Sequence, residues 1–314
     1  MSDPSSATLS EPPRLRRRRF LALLGLSAAM PMRGSAQIGG QGADTLFVWR
    51  ERDARFGGFS ALHLHDDRQH FLALSDRAWL YAGRLIRDAD EGITGVEVSA
   101  IHPVRGPDGA ALRGPAGDSE GLALGSDGTL YIAFEGGART RVAAYAQPGG
   151  VARHLPRHPY FTRMPGNGAL EALAIDSADR LHTLPETPID GAFPVFRFDT
   201  RGWQSDPGRN WQIIGHVPRR GSFAPVGADF GPDGNFYLLE RQFRLPAFAS
   251  RISRIRPGHW DRPETLVETR PGAFDNHEGI SITRDARGRL CATTISDDNR
   301  FFLQRTEIAE FRLD

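Results

Sequence analysis

Short runs of alternating apolar and polar residues, separated by turn residues, recur along the chain. Residues 118–135 (DSEGLALGSDGTLYIAFE) hold the unit in full. Glu120-Gly121 opens it, Leu122 and Leu124 alternate, and Asp127-Gly128 marks a turn. A second apolar run over 130–134 then ends on Glu135. Period-two alternation on both sides of an Asp-Gly pair predicts a β-hairpin.

Four further copies follow the same grammar. They open at Ser60, Glu171, Val226 and Glu278 and close at Asp76, Glu186, Glu240 and Asp297. The openings are 60, 51, 55 and 52 residues apart, and a period of about 50 residues built from short strands predicts propeller blades. Strands are expected at 59–65, 70–75, 78–86 and 93–101 for blade 1, and at 121–125, 129–134, 141–146 and 151–155 for blade 2. Blade 3 takes 171–176, 181–184, 194–199 and 211–217, and blade 4 takes 226–230, 235–239, 251–256 and 264–268. Blade 5 has 279–283, 289–295 and 302–312, one strand short. Residues 44–50 (DTLFVWR) have no hairpin partner of their own and are expected to complete that blade, which pairs two open edges. The fold class is therefore all-β, a five-bladed propeller of four-stranded blades closed by an N-terminal strand, with six blades as the alternative.

Composition adjusts this picture at two points. The 35 Gly and 22 Pro suit many tight turns. All 39 basic residues are Arg. Six of them lie in residues 1–36, where R-R-x-F-L within 17–21 precedes a short apolar run and Gly34-Ser35-Ala36. This order resembles a twin-arginine export signal cleaved before Gln37, with a linker over 37–43 and the propeller over 44–314. The remaining chain carries 33 Arg against 36 acids. Its balance offers no basic surface for nucleic acid, and no later run is long and apolar enough to form a transmembrane segment. Localisation to the periplasm or outside the cell is expected, with the twin-arginine machinery as a partner during export. The single cysteine, Cys291, lies in an apolar run and reads as a buried thiol.

In a propeller the first strand of each blade lines the central channel, and its starting end shares a face with the loop after the second strand. Glu120, Glu171 and Glu278 are thus expected at one mouth, ringed by Asp76, Glu135, Glu186, Glu240 and Asp297. Arg77, Arg139, Arg241 and Arg300 follow closing acids, and Asn167 and Asn276-His277 precede openings. Converging carboxylates bind a hard cation such as Ca²⁺, pair with Arg, or share a proton. The competing account is structural: a residue repeated in every blade can simply join strand ends. His63, His65 and His70 alternate along a hairpin and read as packing or surface histidines. No G-x-S-x-G, Walker loop, G-x-G-x-x-G or metalloprotease helix occurs.

GFSAL, DSEGLAL, NGALEALA, PVGADFGPDGNFYLLER, NHEGISI and ISDDN, in that order, resemble the phytase-like propeller family, whose members are labelled "esterase-like activity of phytase". The resemblance covers 44–314 and implies a calcium-assisted hydrolase of phosphate or carboxylic esters acting on a small molecule. Glu120, Glu171, Glu278 and His277 would be catalytic. The three inner and five outer acids would hold metal, and the four Arg with Asn167 and Asn276 would hold substrate. Two openings, Ser60 and Val226, depart from the pattern by lacking the carboxylate. A binding propeller without catalysis and a calcium-dependent lactonase are the alternatives.

Overall fold

The computed structural model describes residues 42–206 and 208–313, so the expected export segment over 1–36 lies outside the described residues. The described chain falls in one compact unit, Gly39–Asp314, and forms five antiparallel four-stranded sheets. Blade 1 comprises Phe59–Leu64, His70–Ser75, Trp79–Arg87 and Ile93–Pro103. Blade 2 comprises Ser119–Leu124, Leu130–Phe134, Arg141–Tyr145 and the two-residue Arg153–His154. Leu170–Ile175, Arg180–Pro185, Ala192–Asp199 and Gln212–Pro218 form blade 3. Ala224–Phe230, Phe236–Arg244, Ala247–Ile255 and Glu264–Glu268 form blade 4. Asn276–Arg284, Leu290–Asp297 and Thr306–Arg312 form blade 5, whose fourth strand is Thr45–Trp49.

The first strand of every blade contacts the first strand of the next, and the ring closes between blades 5 and 1. Closure is by the N-terminal strand, in register from Thr45 opposite Glu310 to Trp49 opposite Thr306. One apolar cluster fills each interface between neighbouring blades. At the closing interface the Trp49 ring stacks on Phe59 at 5.0 Å and meets Phe71 and Tyr81 edge-on. Burying that strand's tryptophan in the next blade's core adds apolar burial to the pairing of the edges. Among the described residues no helix is long and apolar enough to cross a membrane. Cys291 is buried, and burial pushes its thiol up to about 11.

Most strands lie within a few residues of the expected bounds, and three differences have a structural reason or consequence. The third strand of blade 5 starts at Thr306 rather than 302, because Asp298 gathers the amides of Gly58 and Arg300 and the Thr306 hydroxyl into a turn. The middle hairpin of blade 4 runs on to Arg244 and Ala247, which pair directly across its tip. The outer strand of blade 2 is shorter than expected.

Near the axis the backbones approach closely. A Cβ added at Gly227 would lie 2.2 Å from the Glu278 carbonyl oxygen, and one at Gly279 would lie 2.7 Å from the Leu62 amide nitrogen. At the far end of the channel Asp229 links three blades. Its Oδ2 accepts the Ile282 amide at 2.7 Å and the Ser281 hydroxyl at 3.3 Å, and Ser281 Oγ accepts the Leu64 amide at 3.0 Å. Burial, aided by the charge of Asp66 and opposed by those donors, pushes the Asp229 carboxyl up to about 7.

Two outcomes follow from this packing. Gly227→Ala is expected to lower stability by about 2–3 kcal/mol in urea unfolding, as overpacking against rigid backbone does. Asp229 holds its proton longer in the folded chain than in the unfolded one, so its contribution to stability declines as pH rises from about 4 to about 7 and is constant above. The stability difference between wild type and Asp229→Asn should therefore shrink or change sign across that window. A difference independent of pH would contradict the assignment.

Candidate metal and ester site at the channel mouth

A β-bulge sits at the same place in the inner strand of all five blades. The ladder slips between Phe59 and Ala61, Ser119 and Gly121, Leu170 and Ala172, Pro225 and Gly227, and His277 and Gly279. The extra residues are therefore Ser60, Glu120, Glu171, Val226 and Glu278. A bulge leaves one residue outside the ladder and re-aims its side chain. The residue after it is Gly or Ala each time, and the close approach of neighbouring inner strands explains why. Ser60, Glu120 and Glu171 line the narrow axial channel together with Gly121, Gly227 and Gly279.

Blade 2 gathers three carboxylates at this end. One oxygen each from Asp118, Glu120 and Glu135 lies within 4.8 Å of the others. Glu120 and Glu135 are only 1% exposed, while Asp118 is half-buried. The hairpin closes locally through the Glu135 amide, which donates to the Asp118 carbonyl at 3.0 Å. Glu135 Oε2 accepts the amides of Gly168 at 2.7 Å and Ala169 at 3.3 Å, which ties blade 2 to the start of blade 3. Ser60 lacks a carboxylate and instead donates its hydroxyl to the Ser119 carbonyl at 2.7 Å. Asp118 was not among the expected ligands. Its signal was the Asp-x-Glu spacing, which puts 118 and 120 on one side of an extended strand.

Blade 4 is built differently, because Val226 brings no charge. Arg241 of its second strand reaches across both neighbours: Nη2 donates to Glu186 Oε1 at 2.5 Å, and Nη1 donates to Asn276 Oδ1 at 2.8 Å and to Glu278 Oε1. Asn276 also donates to Glu278 Oε1 at 3.0 Å. Glu278, Glu186, Asn276 and Arg241 thus form one network beside the mouth. Glu240 faces another set: Arg251 donates to both its oxygens, while Arg220 and the Ser253 hydroxyl each donate to Oε2 at 2.7 Å. At 1% exposure that carboxylate joins the strands of blade 4.

The remaining expected residues are spread around the rim. Arg77 donates to the carbonyls of Arg55 and Phe56 and lies 3.7 Å from Asp76, so it braces the loop before blade 1. Arg300 donates to the Ala54 carbonyl. The Asp297 carboxylate accepts the Asn299 amide at 2.6 Å. Arg139 and Asn167 are exposed. His277 turns into the interface of blades 4 and 5, among Leu239, Ile252 and Phe311. Its Nδ1 shares a 2.6 Å hydrogen bond with the Thr294 hydroxyl, and Nε2 is 3.7 Å from Glu307. Burial opposes ionisation of Glu307, but bonds from His277 and the Asp275 amide with the charge of Arg305 hold it below the usual carboxylate range. His63 is half-buried, and desolvation together with the neighbouring His65 pushes its ring down to about 4.

Among solved structures, the calcium-binding protein regucalcin from Agrobacterium tumefaciens aligns at 12% identity over 82% of this chain and 77% of its own, with a TM-score of 0.45. A protein of unknown function from Bacteroides thetaiotaomicron aligns at 13% identity over 81% of this chain, with a TM-score of 0.42. This chain spans 58% of the length of that Bacteroides protein. No curated protein matches the sequence. The model of the phytase-like family, described as "Esterase-like activity of phytase", matches residues 54–300, and the chain belongs to that family.

Proposed function

We propose that this is an exported hydrolase that binds one Ca²⁺ at the channel mouth and cleaves a phosphate or carboxylic ester there. The observation that carries the reading is the Asp118–Glu120–Glu135 cluster. Calcium–oxygen distances of about 2.3–2.6 Å allow ligand oxygens up to about 5 Å apart, and these oxygens lie within 4.8 Å of one another. Three carboxylates so close repel one another, and a cation held between them would relieve that repulsion. The oxygen-only donor set suits a hard cation. A divalent ion held there supplies Lewis-acid polarisation of the ester oxygen.

The chain's own groups complete the chemistry. Glu171 lines the channel with Glu120 and serves as the base that takes a proton from the attacking water. The water oxygen bonds to the phosphorus or acyl carbon, the bond from that centre to the ester oxygen breaks, and the ester oxygen takes the proton back from Glu171 and leaves as the alcohol. Glu278 is oriented by Arg241 and Asn276, so Arg241 is a positioning residue. Export rests on the R-R-x-F-L stretch within 17–21.

Chelator-stripped protein assayed on aryl acetates, aryl phosphates and a lactone should turn over one class only when calcium is restored. Glu120→Gln should lower that turnover at least about 100-fold and abolish the calcium-induced rise in Tm. No turnover of any class, together with a Tm indifferent to calcium, would replace the hydrolase with a binding propeller. Glu240→Gln is the contrasting case. Breaking its buried pairing should cost roughly 3–5 kcal/mol, with and without calcium alike, and leave turnover per folded molecule intact. Replacing Arg17 and Arg18 by Lys should retain the unprocessed chain in the cytoplasm; undiminished export would remove the twin-arginine assignment.

A further inference from the structure

On the face opposite the mouth, a groove separates blades 3 and 4. Its cavity of about 580 Å³ falls within the ~300–1,000 Å³ typical of small-molecule sites. At its floor is His182, on the second strand of blade 3, only 3% exposed. The ring lies between Phe230, 4.9 Å away, and Trp260, 5.7 Å away, both from blade 4. Trp260 reaches this position because blade 3 has glycine beneath it: a Cβ at Gly215 would stand 2.4 Å from the indole.

His182 Nδ1 donates to the Arg180 carbonyl at 3.0 Å, which leaves Nε2 as an acceptor. Among the described residues Nε2 has no hydrogen-bond partner. His182 lines an open groove, and its Nε2 is not sealed away from that groove, so a donor entering the groove can reach it. Burial, opposed by the charge of Asp176 and the Arg180 carbonyl and aided by the guanidinium groups of Arg180 and Arg197, pushes the ring down to about 4, so it is neutral at physiological pH and Nε2 keeps its lone pair. The walls supply the rest. Arg197 stands opposite His182 in the ladder and gives one N–H to Gln212 Oε1 at 3.1 Å. Arg180 pairs with Asp176 through Nε at 2.8 Å. Two guanidinium groups against one carboxylate leave the groove a net cation with donors to offer.

We propose that this groove is a second binding site, separate from the channel mouth, for a small aromatic acid. The ligand carries a hydroxyl or amino donor for His182 Nε2 at one end and a carboxylate for Arg197 at the other. Phe230 and the prolines at 232 and 257 flank its ring.

The test is calorimetric titration of the full chain with 4-hydroxybenzoate, benzoate and phenol. The proposal expects one 4-hydroxybenzoate per chain, with benzoate and phenol each weaker by about 5- to 10-fold, the worth of one net hydrogen bond. His182→Phe keeps an aromatic ring in the sandwich and should reduce 4-hydroxybenzoate to the affinity of benzoate while leaving benzoate unchanged. If that variant fails to fold, Arg197→Gln on the groove wall should weaken 4-hydroxybenzoate and leave phenol unaffected. Absence of saturable binding, equal binding of the three probes, or wild-type selectivity in the variants would each overturn the assignment.

Discussion

The close approach of five inner strands around one axis is the constraint on which this molecule depends. Backbone from one blade lies so near the next that Gly121, Gly227 and Gly279 have no room for a side chain. A strand that must pass so near its neighbour cannot also direct a long side chain toward it. The bulge resolves the conflict by adding one residue outside the ladder just before the small one. The same local irregularity that lets the ring close therefore directs Ser60, Glu120 and Glu171 into the axial channel, while Val226 packs into the core between blades 4 and 5. Packing and candidate chemistry share one cause, and the three blades with Glu at the bulge are those in which the position carries charge.

The charge is handled in two ways around the ring. On the blade 2 side, Asp118, Glu120 and Glu135 converge, and backbone amides from blade 3 hold one of them in place. On the blade 4 side, Val226 leaves a gap in the ring of acids, and Arg241 draws Glu186 and Glu278 together. A mouth that is half acid cluster and half neutralised network favours a single cation at one side. Its guanidinium groups at Arg77, Arg241 and Arg300 are already committed to carbonyls or carboxylates of the chain. That commitment speaks against a substrate recognised by many free cations.

Much of the fold was legible in the sequence, because a hairpin repeats with its turn residues in place. Five evenly spaced openings gave the blade count, and an orphan strand at 44–50 gave the closure. The allocation of the acids was only partly legible. Period-two alternation cannot reveal a partner on another strand, so the closing acids Glu135 and Glu240 read alike although one converges with Asp118 and Glu120 and the other sits between Arg251 and Arg220. His277 adjoins Glu278 in sequence, yet it turns into the core of the blade 4–5 interface. The 302–305 stretch reads as strand from its apolar residues, but Asp298 ends the ladder there by gathering local donors. In each case the deciding contact comes from another strand or another blade.

The central claim is that the mouth holds one hard cation on the carboxylates of blade 2. Calcium titration calorimetry on the chelator-stripped protein, alongside Asp118→Asn, addresses it most directly. The account predicts one calcium per chain and at least about tenfold weaker binding when the Asp118 charge is removed. Calcium binding that is absent, or indifferent to Asp118, would contradict it.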